Sequence, residues 1–351
     1  MTQLSPNDTP QSLGYTFPAE WAPHAATWLS WPHKEASWPG KIETIYAPYV
    51  QFIRLLARHE EVHINVLDAE MEASVRERLR RAGVRMDRIF LHLHPTNDAW
   101  CRDHGPAFVT NPRAQAPKAV VKWNYNAWGE KYPPHDLDNQ IPHHIAAYRQ
   151  LPVFTPGIVM EGGSIEVNGA GTLLTTEACL LNPNRNPHLT RTEIEAFLKT
   201  YYGQTQVLWL RDGIIGDDTD GHVDDLTRFV SRDTVVTVVE TRPEDENYPI
   251  LQENLELLHS FRLPDGSPLR VISLPMPDPV IWEDQRLPAS YANFYIANNL
   301  VVVPTFRCRQ DNTALSILQE CFPDRQVVGL DSTDLIWGLG SFHCLSQQEP
   351  A

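Results

Sequence analysis

A mixed α/β fold assembled from a repeated βαβ-type module is predicted by two features of the chain. Stretches of helical periodicity are each followed closely by a short β-branched run, and further strands stand between most of these pairs. The first pairs are residues 43–59 before 62–67, and 70–82, closed by Gly83 as a helix stop, before 89–94. The others are 141–148 before 153–160, 190–202 before 207–210, 248–261 before 269–274, and 312–322 before 327–330, six units in all. Strands at 118–123, 172–176, 234–239 and 300–303 intervene, which fits a repeated module better than one doubly wound sheet. Pro133-Pro134 and Pro275-Met276-Pro277 are too short to be linkers, so a single domain over 1–351 is expected, with 1–14 as a flexible N-terminal segment.

Composition narrows the partners. A net charge of -15 argues against nucleic acid, whose phosphates are gripped mainly by Lys and Arg, and suits a small cationic substrate. The first fourteen residues lack the basic start and apolar run of a secretory signal, and no stretch approaches the roughly 20 apolar residues that cross a bilayer. A cytoplasmic protein with no membrane partner is expected. The five cysteines, Cys101, Cys179, Cys308, Cys321 and Cys344, are odd in number and contain no CxxC pair, which suggests neither a disulfide framework nor a zinc ribbon.

Reactive residue types gather just after the strands. Asn97-Asp98-Ala99-Trp100-Cys101-Arg102-Asp103-His104 follows the third unit's predecessor at 89–94, and Glu161-Gly162-Gly163 follows 153–160. Asp217-Asp218-Thr219-Asp220-Gly221-His222-Val223-Asp224 follows 207–210, and Gly338-Leu339-Gly340-Ser341-Phe342-His343-Cys344 follows 327–330. Polar segments at strand ends are where α/β scaffolds assemble sites, so these four are expected to converge. His222 and Asp224, read as the start of a strand, would project to one face and divide proton transfer from cation binding. Trp100 and Asp103 can border one pocket, where a planar guanidinium stacks on the indole and bonds the carboxylate. The glycines after Glu161 let backbone approach a ligand. Taken singly, each is more often a core side chain, an ordinary turn or an exposed polar group.

Metal is not expected. The aspartates at 217–225 lack the terminal glutamate of an EF-hand loop, and His92, His94, His143 and His144 have no Cys or carboxylate at zinc spacing. Cys101, Cys179, Cys308 and Cys321 have no evident acid or base partner and are read as structural.

Taken together, these segments resemble the agmatine deiminase and bacterial peptidyl-arginine deiminase family of the guanidino-group-modifying superfamily. The resemblance runs nearly the whole chain. It extends through Phe17-Pro18-Ala19-Glu20-Trp21, Trp28-Leu29-Ser30-Trp31-Pro32, Asn126-Ala127-Trp128-Gly129 and Lys131-Tyr132-Pro133-Pro134. It continues in Leu181-Asn182-Pro183-Asn184-Arg185-Asn186-Pro187, Pro288-Ala289-Ser290-Tyr291-Ala292-Asn293-Phe294-Tyr295 and His343-Cys344.

The resemblance implies a five-bladed, pseudo-symmetric α/β propeller (a pentein) of ββαβ-type modules around a central site. It implies Cys344 as nucleophile, His222 as general acid and base, and Glu161 in support of proton transfer. Asp103 and Asp224 are implied to hold the guanidinium, with Trp100 beside the cation. The implied reaction is hydrolysis of agmatine to N-carbamoylputrescine and ammonia through a covalent thiouronium, within polyamine metabolism and with no cofactor. A homodimer is the expected assembly.

Two points sit apart from this pattern. Six units exceed five blades by one. Leu339 stands where the family carries glycine, and because a leucine disfavours positive φ it is expected to narrow this loop or alter its backbone angles. The alternatives are a deiminase of peptidyl-arginine or another guanidine, an amidinotransferase, a catalytically silent propeller that binds, and a cysteine redox sensor. Arg307 and Arg309 are the candidates for pairing the carboxylate of free arginine.

Overall fold

The structure is a computed structural model that describes residue 5 and residues 7–351. The fold is mixed α/β. Its strands form five sheets of three or four strands and one two-stranded hairpin.

All six helix-strand units are present, and their bounds follow from local chemistry. Helix Ala69–Arg81 starts where the Asp68 carboxylate accepts the N–H of Met71 at 2.8 Å and ends before Gly83, at φ 68°. Helix Arg191–Tyr202 opens on a capping box between Thr190 and Glu193 and stops at Gly203, φ 64°. The strand expected over 153–160 is shorter. Only Val153–Phe154 pairs in a ladder, because Pro156-Gly157, with Gly157 at φ 85°, bends the chain. Met160 then rejoins by donating its N–H to Asn124 O at 3.0 Å.

One arrangement recurs in every main sheet. Thr172–Thr176 pairs antiparallel with Glu166–Val167 and parallel with Gln206–Leu210, with helix Arg191–Tyr202 between the parallel strands. The same order holds around Lys118–Val121, Thr234–Val239 and Leu300–Thr305. The remaining sheet joins the two ends of the chain: His24–Ser30 pairs antiparallel with Ser346–Pro350 and parallel with Glu61–Val66. Strand Ile89–Leu93 adds to it in parallel. Two helix-strand units thus share one sheet, so six units make five sheets.

The strand centres are buried, with Val120, Leu173, Val235 and Val301 fully inaccessible against their helices. At the N-terminal end, Gln11 donates to Thr200 O at 3.0 Å and Pro10 is buried, so part of the segment expected to be flexible packs on the body. Residues 1–4 and 6 of that segment lie outside the described residues. Among the described residues no helix is long and apolar enough to cross a membrane.

Candidate active site

The four polar segments meet. Asp103 lies on the short helix Cys101–His104, where it is buried and accepts from Trp128 Nε1 at 3.0 Å and from Gly163 N at 2.9 Å. Gly163 has to be glycine for this approach: a Cβ there would lie 2.6 Å from His222 Nδ1 and 2.9 Å from Asp103 Oδ1.

His222 and Asp224 are not on a strand, contrary to the reading above. Asp217 accepts the N–H of Gly221 and of His222 at 3.1 and 3.0 Å, turning the chain so that His222 caps the 3-10 turn Val223–Asp225. The strand begins only at Thr227. The two side chains still converge, with His222 Nδ1 3.9 Å from Asp224 Oδ1 and 3.8 Å from Asp103 Oδ1. On the other side of the ring Nε2 is 3.9 Å from Glu161 Oε2, whose partner oxygen receives Arg185 Nε at 2.6 Å. Both imidazole nitrogens, Glu161 Oε2 and Asp224 Oδ1 are buried without a hydrogen bond to other described residues. Buried polar atoms are seldom left so, and these unpartnered atoms on both sides of the imidazole suit a polar, cationic neighbourhood.

Cys344 completes the cluster. Its Sγ receives Asn293 Nδ2 at 3.0 Å and lies 3.6 Å from Asp224 Oδ2. Asn293 Oδ1 also accepts the backbone N–H of His343 and Cys344, at 3.1 and 3.3 Å, so one amide sets the thiol's position. Below it, His343 bridges Asp224 Oδ2 at 2.6 Å and Glu20 Oε2 at 2.8 Å. Glu20 in turn receives Arg228 at 2.9 Å. Sequence reasoning assigned no role to Asn293, His343, Glu20, Arg228, Arg185 or Trp128, though all but Arg228 fall inside motifs quoted above.

Cys179, read as structural, is also here. Helix Glu177–Leu180 is capped by Thr176, whose hydroxyl donates to Gly221 O at 2.6 Å, tying Cys179 to the residue before His222. The donor atoms of Glu161, Cys179 and His222 lie within 4.8 Å of one another, as do those of Asp224, Asp225 and Cys344. Either trio has metal-like spacing. Arg185 on Glu161 puts a fixed positive charge beside the first, and Asn293 Nδ2 is already directed at Cys344 and Asp225 in the second, so both environments weigh against a metal ion.

The electrostatics have one theme. Burial, with help from the neighbouring Asp224 and Glu161 and against the pull of His222, pushes Asp103 up to about 6. Burial also lifts the Cys344 thiol well above its ordinary range, aided by Asp224, Asp225 and Asp103. For His222 burial acts downward, but Asp103, Cys179 and Glu161 outweigh it and hold the imidazole well above its usual value. Burial likewise raises Glu161, and Arg185 and His222 reverse this to a net lowering. Asp103, Cys344 and His222 thus hold protons, while Glu161, paired with Arg185, does not.

A cavity of about 310 Å³ leads outward from Cys344 and Asp103. Trp100 forms its wall, stacked on Trp38 with ring centroids 5.1 Å apart, and Trp128, Trp282 and Trp337 add aromatic faces. Asp98 and Asp218 supply carboxylates. Lys34 is the one cation among the described lining residues, and it is paired with Asp98 at 3.5 Å. His222, Glu161 and Asp224 stand behind this lining.

A family model described as Porphyromonas-type peptidyl-arginine deiminase matches residues 16–350, and the chain belongs to that family. Its relatives include the agmatine deiminase of Pseudomonas syringae pv. tomato, 38% identical over 374 residues that span 100% of this chain and 99% of that one. Among solved structures, the agmatine deiminase of Enterococcus faecalis superposes with a TM-score of 0.92 at 30% identity, covering 99% of each chain. The agmatine deiminase of C. jejuni with substrate bound gives 0.87 at 29% identity and 96% coverage of each.

Proposed function

We propose that this chain is a hydrolase of guanidine C–N bonds that converts agmatine and water to N-carbamoylputrescine and ammonia. The observation that carries the reading is a thiol and two carboxylates at the inner end of an aromatic channel whose wall offers acids and only a neutralised lysine. A guanidinium matches the inner end and an ammonium the outer. Free arginine would need a cation for its carboxylate. Arg307 is spent on Asp331 and Asp334, and Arg309 lies outside the channel lining. That favours the decarboxylated substrate.

In the proposed reaction the guanidinium lies between Asp103 and Asp224 with one face toward Cys344. Its charge offsets the carboxylates that hold up the thiol, so binding releases the thiol proton to solvent and generates the thiolate where it is needed. Sulfur adds to the guanidinium carbon, His222 gives its proton to the departing nitrogen, and ammonia leaves an S-alkylthiouronium on Cys344. His222, now neutral, takes a proton from water as it attacks the same carbon. Collapse of the adduct breaks the C–S bond, the hydroxyl proton passes to the departing sulfur, and the neutral ureido product is freed with Cys344 again a thiol. Nδ1 faces Asp103 and Asp224 and serves as the transferring nitrogen, while Glu161, fixed by Arg185, supports Nε2.

The recurring sheets and the joining of both chain ends in one of them support reading the five sheets as the blades of a pentein ring formed by one domain. Cytoplasmic location and a homodimer complete the proposal. The test is direct: purified protein is incubated with agmatine, L-arginine and a short arginine peptide, and ammonia and ureido product are measured. Product from agmatine alone is expected, and product only from the other two would keep the chemistry but overturn the substrate.

A second expectation concerns protons. Because Asp103 titrates at about 6 in the free protein, agmatine binding to Cys344→Ser at pH 6 releases a sizeable fraction of a proton, and the release fades by pH 8. Calorimetry in buffers of different ionisation enthalpy reads this. No buffer dependence at pH 6 would mean that the cation does not engage Asp103.

A further inference from the structure

Leu339 holds a backbone conformation that its side chain opposes. It lies at φ 68°, ψ 16°, in the left-handed region that glycine occupies freely and a γ-branched residue only against steric resistance. Its neighbours are glycines for want of space: a Cβ on Gly338 would sit 2.5 Å from the Trp38 ring, and one on Gly340 2.6 Å from Trp100. At 339 the situation is reversed, since the backbone suits glycine and a leucine is present. An unfavourable conformation kept at a channel wall points to a use for the side chain.

The surroundings indicate that use. Leu339 lines the channel with Trp282, Leu287 and Trp337, and packs against the apolar cluster that contains Leu287 and Ile336. Trp282 and Trp337 stack at 4.7 Å between centroids, and Lys41 Nζ sits 3.9 Å over the Trp337 ring from outside. The hairpin that carries Trp282 is held by Arg286 on Asp245 at 2.6 Å and by Leu287 N on Val280 O at 2.8 Å. Four apolar side chains from two segments thus line the same channel as Cys344 and Asp103. A chain of methylenes matches that lining, and an α-branched substituent bearing polar groups does not.

We propose that Leu339 is a specificity-determining residue that closes an apolar collar around the methylene chain of an unbranched guanidinoalkylamine, a role that rests on the agmatine reading above. Each methylene removed from water contributes about fourfold in affinity, so loss of the leucine contact should read as roughly tenfold in KM. Leu339→Gly suits the existing backbone and keeps the fold, while Leu339→Ala removes the side chain and retains a Cβ. Both are assayed beside the unsubstituted protein with agmatine, L-arginine and a blocked arginine amide, and melting temperatures are recorded. The expected result is a kcat for agmatine within about twofold, a KM roughly tenfold higher, and a kcat/KM preference for agmatine over the branched guanidines that falls roughly tenfold or more. Leu339→Gly should melt no lower than the parent. A parent active on agmatine and variants that match it in KM and preference would overturn the collar alone. A parent inert toward agmatine but active on arginine would overturn the substrate reading, and the collar with it.

Discussion

Cys344→Ser is expected to lower agmatine turnover by roughly 10⁴-fold or more while agmatine still binds, because the hydroxyl fills the same space but is a far weaker nucleophile. The environment of the thiol makes the expectation sharper than for a generic active-site cysteine. Reactive cysteines usually sit among cations, whereas burial and the neighbouring Asp224, Asp225 and Asp103 raise the Cys344 thiol against the hydrogen bond from the Asn293 amide. Buried among carboxylates, it is a protonated thiol in the free protein at neutral pH. Neutral iodoacetamide should therefore alkylate it slowly at pH 7 and accelerate only as pH rises well above 9, the ordinary thiol value. A cationic haloacetamidine, which brings its own charge to Asp103 and Asp224, should react much faster at pH 7, and agmatine should protect. Mass measurement of the peptide containing Cys344 reads both. Rapid neutral alkylation at pH 7 would show that the thiolate forms without substrate and would remove substrate-assisted activation from the mechanism.

The sequence carried the periodic parts of this molecule well and the turn geometry poorly. Apolar spacing with strong stops, such as Gly83 and Gly203, located all six helices to within a few residues, because burial of one helix face dictates that spacing. It could not say that Ile89–Leu93 joins the sheet of Glu61–Val66, since pairing between strands leaves no mark on either strand alone. The strand reading of His222 and Asp224 failed for a related reason. The turn is made by Asp217 accepting two backbone N–H groups, and an aspartate that organises a turn looks in sequence like any other in an acidic run. The residues that hold the site from behind were harder still. Glu20 and Asp224 meet on His343 although Glu20 is 323 positions away, and nothing in the composition around Glu20 announces a buried carboxylate. Cys179 was dismissed because its partners, His222 and Glu161, lie on other segments.

His222→Gln should cost roughly 10³-fold in kcat, within the range for loss of a positioned general acid and base, and should also reshape the pH dependence. Asp103, Cys179 and Glu161 hold the imidazole well above its ordinary 6.5, so it is protonated at neutral pH and ready to donate to the departing nitrogen. On the acid side, kcat/KM should fall as pH drops through about 6, where Asp103 takes a proton and loses its hold on the cation. On the alkaline side it should fall only as pH passes the raised value of His222. Glu161→Gln removes one of the groups that raise the imidazole, so that alkaline limb should move to lower pH. Stability follows the same sign. A histidine raised in the folded state contributes stability that is fully present below 6.5 and is lost as pH climbs through its folded value. Melting temperature in the free protein should therefore decline across that alkaline window, and the decline should be shallower in His222→Gln, which has no proton to lose there. An alkaline limb that stays in place in Glu161→Gln, with an unchanged melting slope in His222→Gln, would mean that His222 is not the group that titrates, and the acid–base role would have to pass to another residue of the cluster.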